Sequence, residues 1–268
     1  MIAESPIGVF DSGVGGLTVV RETLSLLPKE RIVYFADNGY LPYGSRSLEQ
    51  IAGFARHIVR FLEGQGAKLV LAGCNMSSGA IREGLLPPGQ VPLLGVTEPA
   101  ARAAVSKTSG RVGVIGTVGT VKNGIYSRAV AAIDPNCQVL EEACPEFVPL
   151  VEAADLDSQQ ARLAVRLHLD PLLNWGMDTL VLGCTHYPFL LPLIAEHTGQ
   201  RITVVDPARE VALMVRRLLG DQNALNPCLD GCGHSLFASG DATQLESFAS
   251  RFLGLKIAGA EKRDVHGG

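Results

Sequence analysis

Two cysteines carry the strongest chemical signal in this sequence. Cys74 sits in Leu69-Val-Leu-Ala-Gly-Cys-Asn75 and Cys184 in Leu180-Val-Leu-Gly-Cys-Thr-His186. Each follows a short apolar run and precedes residues able to start a helix. A thiol at a helix N-terminus has a lowered pKa and reaches the thiolate form near neutral pH. One such cysteine, taken alone, reads as a small buried residue. Two at equivalent places, each beside polar residues, read as a functional pair. A disulfide oxidoreductase would carry C-x-x-C, which is absent. A zinc site needs more ligands than the pair and His186 provide. Two opposed acid–base groups suit inversion at carbon: a thiolate removes the proton from one face and a thiol returns one to the other.

These residues need a frame. Continuous apolar runs at Ile7–Phe10, Ile32–Ala36, Leu69–Gly73, Leu93–Val96, Val112–Gly116, Leu180–Gly183, Ile202–Val205 and Leu236–Ser239 read as parallel strands covered on both faces. Helical patterns lie between them, including Thr18–Leu27, Leu48–Gly64, Gln159–Asn174 and Glu210–Leu219. Strand and helix in alternation define an α/β class. Ile7-Gly-Val-Phe-Asp-Ser-Gly-Val-Gly-Gly16 echoes Val112-Gly-Val-Ile-Gly-Thr-Val-Gly-Thr-Val121, and the two cysteine segments echo each other at nearly the same offset. Two similar α/β halves are therefore expected. Ligands of open parallel sheets sit beyond the carboxyl ends of the strands, where Asp11-Ser12, Cys74-Asn75 and Cys184-Thr185-His186 all fall.

Neighbouring residues acquire roles from that placement. Asp11-Ser12-Gly13-Val14-Gly15-Gly16 can form an anion-receiving turn, with helix capping by Asp11 or Ser12 as the plainer reading. It is not a GxGxxG fingerprint. Asp11 can assist Cys74, and His186 can assist Cys184. The loop Leu41-Pro42-Tyr43-Gly44-Ser45 either covers a ligand or is a plain turn. Thr117 and Thr120 either bind a carboxylate or cap a helix. Cys228, Cys232 and His234 supply three ligands of a metal clip and no fourth. The segment Glu261–Asp264 before Gly268 reads as a solvated tail.

Composition sets the outer limits. The chain has 268 residues, 47% hydrophobic and 19% charged, which suits one or two compact domains. Net charge is −4, so no basic footprint for nucleic acid exists. No apolar run reaches the roughly 18 residues of a membrane span. The start, Met1-Ile2-Ala3-Glu4-Ser5-Pro6, lacks a charged leader ahead of an apolar core, so a cytoplasmic location is expected. Six cysteines in that compartment do not imply a disulfide framework.

Several of these segments together resemble the glutamate racemases of the aspartate/glutamate racemase family. They are Asp11–Thr18, Pro42-Tyr43-Gly44, Cys74-Asn75, Thr97-Glu98-Pro99-Ala100, Cys144–Glu152, Gly183–Pro188 and Ser239-Gly240-Asp241, in order across almost the whole chain. The resemblance implies two α/β domains, residues 1–97 with 209–268 and residues 98–208, related by a pseudo-two-fold axis with the active site in the cleft between them. It implies no pyridoxal phosphate and no metal. It makes Cys74 the base toward D-glutamate and Cys184 the base toward L-glutamate, assisted by Asp11, Glu152 and His186. Asp11, Ser12, Tyr43, Gly44, Asn75, Met76, Thr117, Thr120, Thr185 and His186 would hold the substrate, usually in a homodimer that supplies D-glutamate for peptidoglycan. One departure stands near the chemistry. The family usually reads Cys-Asn-Thr-Ala, whereas this chain reads Cys74-Asn75-Met76-Ser77-Ser78. Met76 lacks the hydroxyl; Ser77 can replace it only if it points inward. Racemisation of another amino acid such as aspartate, or a non-catalytic amino-acid-binding role, are the alternatives.

Overall fold

The computed structural model describes residues 1–228, 233–253 and 259–267. Ten strands follow in chain order: β1 (Ile7–Asp11), β2 (Ile32–Ala36), β3 (Leu69–Ala72), β4 (Leu93–Gly95), β5 (Arg111–Gly116), β6 (Gln138–Ala143), β7 (Thr179–Gly183), β8 (Thr203–Val205), β9 (Ser235–Ala238) and β10 (Ala260–Lys262). They form two sheets, ordered β10-β9-β2-β1-β3-β4 and β6-β5-β7-β8, and every pairing is parallel. The α/β class expected from the apolar runs is the observed one. The chain divides into two compact units, Met1–Val96 with Val211–Gly268, and Thr97–Glu210.

The echo between the two halves has a topological counterpart. In the first unit the first four strands run second-first-third-fourth across the sheet; in the second unit β5 to β8 repeat that order. Each cysteine follows the third strand of its set. That strand pairs with the first one, β1 with β3 and β5 with β7.

Burial explains why these segments are strands. Every residue of β1, β2, β3 and β7 is buried, as a parallel strand with helices on both faces requires. The helix Leu48–Gly64 puts Ile51, Ala55, Ile58 and Leu62 on one stripe against that sheet. It opens with a capping box: Gln50 N–H donates to Ser47 Oγ, and Ser47 N–H to Gln50 Oε1. The helix Gln159–Trp175 is capped by Ser158 and stopped by Gly176 in the left-handed conformation, φ +85°.

Two strands depart from the sequence expectation. β6 is half-exposed at a sheet edge and carries Glu141 and Glu142, so it shows no continuous apolar run. β10 is a short edge strand, Ala-Glu-Lys. Its presence corrects the reading of the Glu261–Asp264 segment as a solvated tail: Glu261 and Lys262 pair with β9. Among the described residues no helix is long and apolar enough to cross a membrane.

Candidate active site

In the first unit, β1 and β3 lie side by side with Phe10 level with Ala72, and Gly73 N–H donates to the Phe10 carbonyl at 2.8 Å. Asp11 and Cys74 thus leave the sheet at adjacent strand ends. Cys74 is the N-cap of the helix Asn75–Arg82, in extended conformation, with its side chain 7% exposed. The positive end of the helix favours the thiolate there. Asp11 is fully buried, and its Oδ1 accepts from Gly13 N–H at 3.0 Å, closing a tight turn. The capping reading of Asp11 and Ser12 is not realised: Gly16 is the N-cap of the helix Leu17–Leu26, without a side-chain cap. Gly16 is required by crowding, because a Cβ there would lie 2.4 Å from Asp11 Cβ.

Two tyrosines surround this corner. Tyr34 of β2 donates to the Gly13 carbonyl at 2.5 Å, and Tyr43 donates to Asp37 Oδ2 at 2.5 Å. Burial first, then the charge of Asp11 and Cys74, pushes the Tyr34 phenol up. Burial, then Asp37, then Cys74 and Asp11, does the same to Tyr43. Both phenols stay protonated donors. Tyr34 and Asp37 were not singled out by sequence; the pair could have been noticed only as polar groups in or just after an apolar strand. Ser12, Asn75 and Met76 are buried in the same corner, while Gly44 is half-buried beside Tyr43. Ser77 Oγ is buried and has no hydrogen-bond partner among the described residues.

The second unit holds a longer array. Cys184 follows β7, is 7% exposed, and has its Sγ 3.8 Å from His186 Nδ1. His186 Nε2 lies 3.5 Å from Glu152 Oε1. The His186 ring beside it holds the Glu152 carboxyl below its usual range, against the opposing effect of burial. An ionised Glu152 keeps the proton on Nε2, which leaves the Nδ1 lone pair toward the Cys184 thiol. Thiol, imidazole and carboxylate thus lie in a row, Sγ facing Nδ1 and Nε2 facing Oε1. Gly116 of β5 is level with Gly183, so Thr117 and Cys184 emerge together. Thr117 caps the short helix Val118–Lys122 through Thr120 N–H, and its Oγ1 lies 2.9 Å from Thr120 Oγ1. The capping reading of Thr117 is thus realised. Thr185 is buried next to Cys184.

The segment presenting Glu152 is held by residues that spacing did not reveal. Tyr187 donates to the Cys144 carbonyl at 3.0 Å, and Phe147 packs edge-on against Tyr187 at 5.0 Å between centroids. His168 sets Nδ1 3.0 Å from Glu142 and Nε2 2.8 Å from Glu146. Burial, then the charges of Glu142, Glu146 and Cys184, raises the Cys144 thiol, which disfavours its thiolate.

The Cys228–Cys232–His234 cluster lies only partly within the described residues. Cys228 is exposed, and Cys232 lies outside the described residues. His234 Nδ1 accepts from Ile32 N–H at 3.2 Å, so it serves as a neutral acceptor at the start of β2. No group of three or more His, Cys, Asp or Glu suited to a metal occurs among the described residues. Burial, with the Arg31 charge second, lowers the His234 pKa. Below the ordinary histidine value of about 6.5 the unfolded chain binds a proton that the folded chain refuses. Stability from this residue is therefore complete above about pH 6.5 and is lost as pH falls toward the lower folded value. Urea midpoints measured from pH 7.5 to 5 are expected to fall less steeply for His234→Asn, which keeps an acceptor and removes the titration. Equal slopes would refute the assignment.

The fold is that of an α/β protein with a buried cysteine at an equivalent strand end in each of two units. A family model described as Asp/Glu/Hydantoin racemase matches residues 7–215, and the chain belongs to that family. It is 43% identical over 260 residues to a glutamate racemase of Desulforudis audaxviator, covering 94% of this chain and 95% of the relative. Among solved structures it is similar to a glutamate racemase isoform of Bacillus anthracis, with TM-score 0.92 and 37% identity over 98% of this chain and 99% of that one. A Francisella tularensis glutamate racemase in complex with D-glutamate matches with TM-score 0.89 and 28% identity over the same shares. An aspartate racemase of Picrophilus torridus, TM-score 0.57 and 18% identity over 80% of this chain and 94% of that one, shares the fold.

Proposed function

We propose that this amino-acid racemase interconverts L- and D-glutamate by two-base proton transfer between Cys74 and Cys184, without a cofactor. The observation that carries the reading is the Cys184–His186–Glu152 array, with a second strand-end cysteine, Cys74, at the same topological position in the other unit. Inversion at the α-carbon needs one acid–base group per face, and each unit contributes one.

From L-glutamate, the Cys184 thiolate takes the α-proton. The C–H electron pair moves onto the carbon and its carboxylate, and the Cys74 thiol delivers its proton to the opposite face. Cys74 ends as thiolate and Cys184 as thiol, and the D isomer reverses both roles. The α-proton is a weak acid, so fixed donors must stabilise the carbanion-like transition state. Ser12, Asn75, Thr185 and the backbone N–H groups of the two helix starts are the donors assigned to the substrate, with Asp11 assisting Cys74. Biologically, the product would serve peptidoglycan synthesis in the cytoplasm, and the active form would be a homodimer.

Glutamate is preferred because the similar relatives named above are glutamate racemases. Met76 supports the aspartate alternative, because it replaces a hydroxyl beside Asn75. Ser77 answers part of that objection, since its buried hydroxyl is unpartnered. Each enantiomer of glutamate and aspartate, incubated singly in D2O and followed by chiral separation and proton NMR, tests the proposal. Interconversion with deuterium entering the α-position, faster for glutamate, is expected. Faster turnover of aspartate overturns the substrate assignment, and no exchange with either amino acid favours a binding protein.

A further inference from the structure

Asp37 follows β2 directly and is fully buried. Its two carboxylate oxygens have one side-chain partner each. Oδ2 accepts from the Tyr43 hydroxyl at 2.5 Å, and Oδ1 lies 2.9 Å from His266 Nε2. His266 comes just after β10, far from Asp37 in sequence, yet its side chain is only 6% exposed. It is seated in an aromatic box. Tyr40 packs edge-on at 4.4 Å between centroids, Phe54 at 5.1 Å, and the His57 ring at 5.6 Å. His266 Nδ1 lies 3.4 Å from His57 Nδ1, so one of the two rings donates there and the other accepts. Nε2 is the nitrogen committed to Asp37.

We propose that His266 is a positioning residue for the Tyr43–Gly44 loop, acting through Asp37. The physical argument is one of satisfaction. A buried carboxylate needs a donor at each oxygen, and losing one leaves it to rotate or to recruit water. Either response disturbs the hydrogen bond that fixes Tyr43. Neighbouring hydrogen bonds tie the surrounding backbone to the same place. Gly39 N–H donates to Ser239 Oγ at 3.0 Å, and Gly240 N–H to Asn38 Oδ1 at 2.8 Å. Arg46 donates from Nε and Nη2 to the Tyr40 carbonyl. His266, together with Asp264 Oδ1 3.5 Å from the Tyr40 hydroxyl, ties the segment after β10 to the base of the Leu41–Ser45 loop. The consequence for glutamate rests on the reading above that this loop holds the substrate; the mechanical claim does not.

Two variants separate donor from bulk. His266→Phe keeps the ring in its box and removes the donor; His266→Gln keeps an N–H that can reach Asp37. Hydrogen exchange resolved by peptide is expected to speed up across residues 41–46 in His266→Phe and to stay near the parent rate in His266→Gln. With glutamate as substrate, KM is expected to rise about tenfold in His266→Phe with kcat within about twofold, and to recover in His266→Gln, the effect of one lost hydrogen bond to a charged group. Unchanged exchange in His266→Phe, or the same acceleration in both variants, overturns the proposal. Accelerated exchange in a protein whose parent form does not racemise glutamate leaves His266 as the positioning residue and rejects the substrate assignment instead.

Discussion

Serine in place of Cys74 or of Cys184, one at a time, is expected to reduce glutamate racemisation by at least about 10³-fold in either direction. A serine hydroxyl is nearly the size of a thiol but far less acidic, so it neither accepts the α-proton as an alkoxide nor matches the operating pH. General acid–base groups contribute about 10²–10⁴-fold each, and racemisation uses both cysteines in every turnover. The fold should tolerate either change, since both side chains sit at strand ends rather than within the sheets. Circular dichroism and the urea midpoint check that point. Chiral separation from each pure enantiomer reads the rate. The two variants differ in one further respect: Cys184 has the His186–Glu152 pair and Cys74 has Asp11 as its proposed helper. Each single variant should retain slow α-deuterium exchange with only the enantiomer whose proton the surviving cysteine removes, L-glutamate for Cys74→Ser and D-glutamate for Cys184→Ser. A single variant that keeps near-parent racemisation would sink the paired-thiol mechanism.

What could be read in advance was what burial writes into local sequence. β1, β2, β3, β5 and β7 announce themselves because parallel strands covered on both faces must be apolar throughout. The cysteines stand out because they follow those runs. β6 escapes because an edge strand is covered less, so Glu141 and Glu142 are tolerated within it. The site shows the same division. His186 is two residues from Cys184 and its role follows from proximity. Glu152 is remote in sequence, and only the family resemblance pointed to it. Tyr34, Asp37, His168 and His266 act through contacts between distant segments, which no local pattern records. Thr117 had two open readings, of which the cap is visible in the geometry.

The largest stability effect is expected at the other end of the first sheet, where no catalytic residue lies. Lys68 stands just before β3, and its ammonium group spends its three donors on Glu30 Oε2 at 2.7 Å, the Ala3 carbonyl at 2.7 Å and the Ala224 carbonyl at 2.8 Å. Glu30 Oε1 accepts from Asn226 N–H at 2.9 Å. Both side chains are essentially inaccessible, at 0% and 1% exposure. The pair thus joins the start of the chain, the entry to β3 and the 224–226 loop around one buried charge. Lys68→Met fills similar space but leaves the buried Glu30 carboxylate without its counter-charge and two carbonyls without a donor. Breaking a buried pair on one side costs about 3–5 kcal/mol, a large share of the roughly 5–15 kcal/mol typical of a folded protein. Urea unfolding followed by circular dichroism should show that loss. Adding Glu30→Gln should return part of it, because a neutral amide removes the uncompensated charge while the carbonyls stay unserved. The kcat of the folded fraction should be unchanged, since Lys68 precedes the strand at whose far end Cys74 sits. A Lys68→Met midpoint within about 1 kcal/mol of the parent would mean that water reaches Glu30, and that the three-way contact is not what holds this edge together.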